Sequence, residues 1–376
     1  MFRLVAIAAL AVLAAASDPS AAAAQTMVSQ CGTEYSGAGV LTGNLDCSGT
    51  EEAAITIGDH GSLDLMGFTI TADTGVICHT RVPCTVKSSV PGGTVLASAT
   101  PFWGLWQLGD AGMIVRGVRV DGFEVGISLN SGRGSLLLED SVVTHTALRA
   151  VQVTEAARIE RSSVSENEGD GTHSKTLRIV DSEITANGGV GISTNGLNLN
   201  RTVVAGNGAS GIFAAWGPHR IRFGDVSRNG GHGVEAGGYI RGISISDSMF
   251  DDNGGSGVHG FKSIKAVRST FSGNDGAGML QFYEWEDSSG IRLKDSTISG
   301  NGTHGAAQEP GVFRRLSLKR TTVTANAASL DCGVSIACAD LSSPVSPKLD
   351  RSSACGTSHV YDSGIPGQTW EVCSND

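Results

Sequence analysis

The sequence predicts an all-β chain, a single-stranded right-handed parallel β-helix (a solenoid) of about 12 coils with disulfide-bridged ends. Three observations predict it: an internal repeat, period-two apolar alternation inside each repeat, and cysteines confined to the two ends. The repeat shows when "LRIVDSEITANGGVGI" (177–192) is set over "LNLNRTVVAGNGASGI" (197–212), "ISISDSMFDDNGGSGV" (243–258) and "IRLKDSTISGNGTHGA" (291–306). Its asparagine recurs at 167, 187, 207, 229, 253, 274, 301 and 326, in steps of 20 to 27 residues. Upstream the same slot falls on His145, Phe123 and Asp73, and the 50 residues between the last two leave room for two coils.

Each repeat holds a central apolar-x-apolar strand, a short second strand, and a strand that follows the turn glycine. The alternation has the period of a strand. A unit this small cannot bury its own apolar face, so it buries it against the next copy. Stacking at about 4.8 Å per coil makes a rod of roughly 55–60 Å. The asparagine suits a corner, since it tolerates left-handed backbone and its amide can bond to the next coil's amide. The glycine four residues on supplies the next tight turn.

The ends differ from the body. "LVAIAALAVLAAA" (4–16), after Arg3 and before Ala22–Ala24, reads as a signal peptide cut after Ala24, and is too short to span a membrane. Residues 25–100 form an N-terminal cap and first coils, 101–328 the repeat body, and 329–376 a cysteine-containing C-terminal cap. An even number of cysteines in an exported chain points to disulfides. Pairing sequence neighbours gives Cys31–Cys47, Cys78–Cys84, Cys332–Cys338 and Cys355–Cys373. No metal is expected, since the chain has no Cys-x-x-Cys pair. The net charge is −10, with −5 in residues 25–100 and −4 in residues 329–376. There is no basic tract and no nucleic-acid reader motif.

The Asn-Gly-x-x-Gly columns, the early coil "LDLMGFTI" (63–70) and the cysteine-bearing ends resemble the secreted bacterial right-handed parallel β-helix repeat proteins of the pectate-lyase-like superfamily. The resemblance implies the fold from about residue 30 to 373. It implies no single reaction, because that superfamily holds lyases, hydrolases, epimerases and non-catalytic members. "NGGHG" (229–233) carries the Gly-His-Gly of polygalacturonases, but Asp251 and Asp252 follow His232 where that family has its aspartates before. His232 also fills a repeat slot held elsewhere by Asp170, Val190, Ser210, Ser256, Ala277 and His304. "RVPCTVK" (81–87) has Val86 where pectate lyases place a second arginine.

Stacked coils turn equivalent positions into columns. One column alternates in sign: Asp140, Arg161, Asp181, Arg201, Asp247, Arg268, Asp295 and Arg320. It reads as a register device, since opposite charges one coil apart attract. The outward residue of the central strand is basic at Arg158, Arg178, Arg222, Lys265 and Arg292, with Asn198 and Ser244 between. It reads first as a solvated face pairing with local acids such as Glu160, and second as a track for an acidic glycan. After the turn glycine, Glu235 and His259 fall on neighbouring coils, where the carboxylate is expected to raise the imidazole's pKa towards working pH.

The loops after that strand are rich in aromatic and charged residues. Trp216, Arg220, Arg241, Lys262 and Trp285 are candidates for binding sugar, with flat faces and polar edges. Phe213 and Phe261 are those expected simply to cover the coil. The expected function is binding of an acidic polysaccharide. If catalysis accompanies it, lyase chemistry on a uronate chain stands ahead of hydrolysis. His259 or an arginine would take the proton, Tyr239 or Tyr283 would supply one, and Glu235 would orient the imidazole. No cofactor is expected; lyases of this fold often use Ca²⁺, but no acidic cluster here marks a site. The alternative is a non-catalytic rod in the envelope or outside the cell.

Overall fold

The computed structural model describes residues 25–330, apart from 51, 131, 238–241, 282–289, 309–315, 325 and 327, and short strands at 348–350, 353–355, 361–362 and 369–370. The described residues form parallel strands stacked coil upon coil, with one antiparallel pair near the C-terminus. The coil at His219–Arg222, Asp225–Ser227 and Val234–Ala236 serves as the type. Its short strand belongs to a 14-stranded sheet, and its two other strands to a 26-stranded one. Where the connecting loop is short, the last two merge, as in Asp170–Val180 and Ile192–Asn200. Coils already stack from Thr26–Val28 onwards, so residues 25–100 carry the same architecture as the body.

Inward residues of successive coils form aliphatic columns with no solvent exposure, such as Val164, Ile184, Val204 and Val226. Phe250 and Phe271 continue this column as stacked rings 5.0 Å apart. Phe261 is fully buried, so it is core, and Phe213 is half-buried, its ring lying over Gly237 of the next coil.

The asparagine column is a buried amide ladder from Asn167 to Asn326. Each Nδ2 donates to the next Oδ1, as from Asn207 to Asn229 at 2.9 Å, and to a carbonyl of the preceding coil. The left-handed residue is the one before, not the asparagine itself: φ is 54° at Ala186, 53° at Arg228 and 54° at Asp252. This corrects the corner role given to the asparagine, because its backbone N–H must stay aligned to donate to the next amide oxygen. The ladder ends on Thr146, whose N–H and hydroxyl both donate to Asn167 Oδ1. The column therefore passes through Thr146; His145 is the left-handed residue beside it. Ser98 supplies the coil between Asp73 and Phe123.

The Asp/Arg column sits at the other corner, where all eight residues have φ between 44 and 53°. Each arginine grips the aspartate one coil back with two bonds, as Arg201 does Asp181 at 2.5 and 2.7 Å. The arginine holds each of these carboxyls below the usual carboxylate range. These pairs are exposed, so each is worth little in stability, but they favour one register over a slipped one. Exposed Phe223 takes the slot between Arg201 and Asp247. That explains the break in alternation.

Cys31–Cys47 and Cys78–Cys84 are disulfides, as paired from the sequence. They fit an oxidising compartment. The side chains of Cys332, Cys338, Cys355 and Cys373 lie outside the described residues, as does the segment 1–24. No helix among the described residues is long and apolar enough to cross a membrane.

Candidate functional site

Two outward columns run side by side on the large sheet. The first is the outward face of the central strands. Register places Arg158, Arg178, Asn198, Arg220, Ser244, Lys265 and Arg292 in line. Arg220, not Arg222, is therefore the member from its coil. A slip of two residues keeps a side chain on the same face, which is why pattern alone could not separate them.

Arg158 pairs with Glu160, as a solvated face would. Arg178, Arg220, Lys265 and Arg292 are exposed and make no ion pair among the described residues. Arg178, Arg220 and Lys265 stand two coils apart, about 9.6 Å at strand spacing. Asn198, Arg220, Ser244 and Lys265 line an open groove of about 550 Å³. A second groove of about 460 Å³ is lined by Ile114, Leu137, Arg158 and Arg178. Trp216, in the loop before Pro218 on the first groove's rim, is 62% exposed.

His219 lies beneath the first groove. It takes the inward place held by Leu197 and Ile243 in adjacent coils and is 3% exposed. Its ring meets Phe261 edge-on at 5.9 Å. Neither nitrogen has a hydrogen-bond partner among the described residues. Burial lowers its pKa to about 4, so it is neutral at neutral pH. No sequence signal marked it, since a histidine in that slot is indistinguishable by pattern from an outward one.

The second column is the outward face of the strands after the turn glycine. Phe213, Glu235 and His259 are neighbours in register, as expected. His232, whose repeat slot suggested no role, lies flat on His259 with ring centroids 4.1 Å apart and planes within 5°. Gly255 makes room for it: a Cβ there would sit 2.4 Å from His232 Nδ1. That nitrogen accepts the Ser256 N–H at 2.8 Å, which puts the proton of the neutral ring on Nε2. Glu235 Oε2 accepts the Ser210 hydroxyl at 2.6 Å.

The carboxylate thus acts on His259 through its charge. It does not raise the pKa as expected. Burial and the neighbouring His232 outweigh it, and the His259 pKa falls to about 4. His232 is lowered too, by burial. Both rings are neutral at neutral pH, the form that accepts a proton. Lys262 is half-buried, and its carbonyl accepts from Gln281. Tyr239, Arg241, Tyr283 and Trp285 lie outside the described residues. Among the described residues no three His, Cys, Asp or Glu side chains converge as metal ligands would.

Residues 195–345 match the family model described as the right handed beta helix region. The fold is a right-handed parallel β-helix. The chain matches no curated protein in sequence. Among solved structures, this β-helix is similar to the A-module of the mannuronan C-5 epimerase AlgE6 of Azotobacter vinelandii, at 13% identity over 89% of this chain and 91% of that one, with a TM-score of 0.46. It is similar to the periplasmic alginate epimerase AlgG at 12% identity, covering 81% and 77% with a TM-score of 0.44. It is also similar to the pectate lyase Pel9A at 14% identity, covering 82% and 71% with a TM-score of 0.36.

Proposed function

We propose that this chain is an exported β-helix protein that binds an acidic polysaccharide along the outward face of its central strands. One observation carries the reading. In a chain of net charge −10, the central-strand column carries five cations and four of them are unpaired among the described residues. An unpaired guanidinium or ammonium lining a groove is free to meet a carboxylate or sulfate. Three of these cations recur at the length of a disaccharide, and exposed Trp216 offers a flat face for a sugar ring. The test is gel retardation with pectate, alginate, hyaluronan, a heparin-type chain and neutral glucans. Arg178→Ala/Arg220→Ala/Lys265→Ala is expected to weaken binding of the acidic chains by roughly threefold to a hundredfold, at about 0.2–1 kcal/mol per exposed contact. Rising salt should weaken wild-type binding in the same direction. Retention of neutral glucans alone, or unchanged affinity in the triple variant, refutes the reading.

A second reading adds lyase chemistry at Glu235 and His259, favoured by the neutral state in which His259 is held. A neutral imidazole can take the proton from the carbon beside a uronate carboxylate. The electron pair left behind forms a double bond to the adjacent carbon as that carbon's bond to the glycosidic oxygen breaks, and the oxygen takes a proton from a tyrosine, for which Tyr239 and Tyr283 are the candidates. Unsaturated product read by ultraviolet absorbance, with and without Ca²⁺, tests it. Product that disappears in His259→Ala supports the pair; retardation without product retires it. Silence in binding and turnover alike leaves the rod as a spacer or adhesion surface.

A further inference from the structure

The described surface carries a second aromatic group, far from the loops discussed above. Trp103 and Trp106 lie on the strand Trp103–Gln107; Trp106 stands in the column that leads through His173 and Phe213 to Glu235 and His259, and Trp103 in the neighbouring column that leads to Arg149 and Asp170. Both rings are half-buried, 4.3 Å apart and 21° from parallel. Phe102 extends the face at 5.9 Å from Trp103 and is 51% exposed. Gly104 permits the arrangement. A Cβ there would run into Val120 and Phe123; Gly104 and Leu105 are buried in succession, and the half-buried tryptophans flank them on either side.

Polar groups continue from this platform in register. Trp103 leads through Val125 to Arg149, and Trp106 leads through Ser128 to Gln152 and His173. Arg149 is half-buried and makes no ion pair among the described residues, although Asp170 is its neighbour in register. Ser128 is fully buried beside Trp106, and its hydroxyl has no hydrogen-bond partner among the described residues. A buried hydroxyl without a partner is costly, and a ligand hydroxyl would relieve it.

We propose that Trp103, Trp106, Ser128, Arg149 and Gln152 form a second glycan site, separate from the central-strand groove. A sugar ring stacks on the tryptophan pair. The chain then runs along the rod, so that an acidic group about 9.6 Å further on, two coils away, meets Arg149. Gln152 bonds the intervening hydroxyls. Trp106 and His259 are seven coils apart, roughly 34 Å, so a chain held here also passes along the column that ends in the imidazole pair. The site shares the class of ligand with the central-strand reading, but none of its residues.

The stacked tryptophans give a direct readout, because coupled indoles produce a paired far-ultraviolet circular dichroism signal of opposite signs. Purified mature protein is titrated with hexamers of galacturonate and of mannuronate, and with cellohexaose as the neutral control. The expected result is that an acidic hexamer changes the tryptophan signal. Arg149→Ala should weaken that change about tenfold, and Trp103→Leu/Trp106→Leu should abolish it with unfolding otherwise unaltered. Arg178→Ala/Arg220→Ala/Lys265→Ala should leave it intact. If the triple variant loses the change and Arg149→Ala keeps it, the second site is overturned and the central-strand reading stands. If the reverse pattern appears, the second site stands alone. An equal response to cellohexaose, or none to any hexamer, overturns the proposal. Arg149→Ala keeps the test decisive should the tryptophan variant fail to fold.

Discussion

Replacing Asn229 by alanine is expected to lower the stability of the rod by about 3–5 kcal/mol, the largest single loss among the substitutions considered. Asn229 is 1% exposed and central in the amide ladder. Its Nδ2 donates to Asn253 Oδ1 at 2.9 Å and to the Val204 carbonyl at 3.1 Å. Its Oδ1 accepts from the Asn207 amide at 2.9 Å and backbone N–H at 3.2 Å. Alanine removes all four bonds and strands partners on two neighbouring coils, in a place water does not reach. Asn229→Asp is expected to be as damaging, because a carboxylate cannot donate. Asn198→Ala, on the exposed face, should stay within about 0.5 kcal/mol of wild type. Urea unfolding of the three variants tests this. Equal midpoints for Asn229→Ala and Asn198→Ala would show that the ladder does not hold the coils together.

His219→Leu is expected to remove much of the chain's sensitivity to acid. The imidazole titrates at 6.5 when unfolded and at about 4 when folded. Between those values the unfolded chain binds the extra proton, so stability is complete above about pH 6.5 and falls as the pH drops towards 4. For one such group the loss between pH 7.5 and pH 4.5 is about 2.5 kcal/mol. Leucine cannot titrate and matches the residues above and below it in the column, Leu197 and Ile243. The variant should also gain about 1–2 kcal/mol at pH 7.5, since two unpartnered nitrogens leave the core. Urea unfolding at the two pH values, for wild type and variant, gives both numbers. His232 and His259 add to the acid lability of both proteins, so the difference between the two proteins is the quantity that counts. An identical pH dependence in both would mean that His219 is not buried uncharged.

The binding face was partly legible. Arg158, Arg178, Lys265 and Arg292 were placed correctly, because each stands between two apolar residues of its strand, whereas Arg220 has His219 on one side. Arg220 and Arg222 were exchanged, because Trp216 and its neighbours lengthen the loop before them and shift the count by two. The solvated reading of that column held for Arg158, which has Glu160 two residues away. Arg178, Arg220, Lys265 and Arg292 are exposed and make no such pair among the described residues, because whether a cation is paired depends on the coils above and below. Glu235 and His259 were correctly set side by side, yet the sign of the histidine shift was missed. Sequence shows the nearby carboxylate but not the burial that opposes it. Trp103 and Trp106 went unremarked, because three-residue spacing is not the period of a strand, and the burial of Gly104 and Leu105 in succession between them shows only in the folded chain.

By itself the sequence determined the solenoid, the coil length, the three strands, the asparagine ladder and the two N-terminal disulfides. It could do so because each coil repeats the same local pattern and buries its face on a copy of itself, so local and global order coincide. Tertiary structure alone decided column membership where the sequence pattern allowed two placements. It put His219 inside and Arg220 outside, set His232 against His259, and gave the left-handed corner to Arg228 rather than to Asn229. Those outcomes depend on register between coils whose loops differ in length, and a shift of one residue there exchanges core for surface.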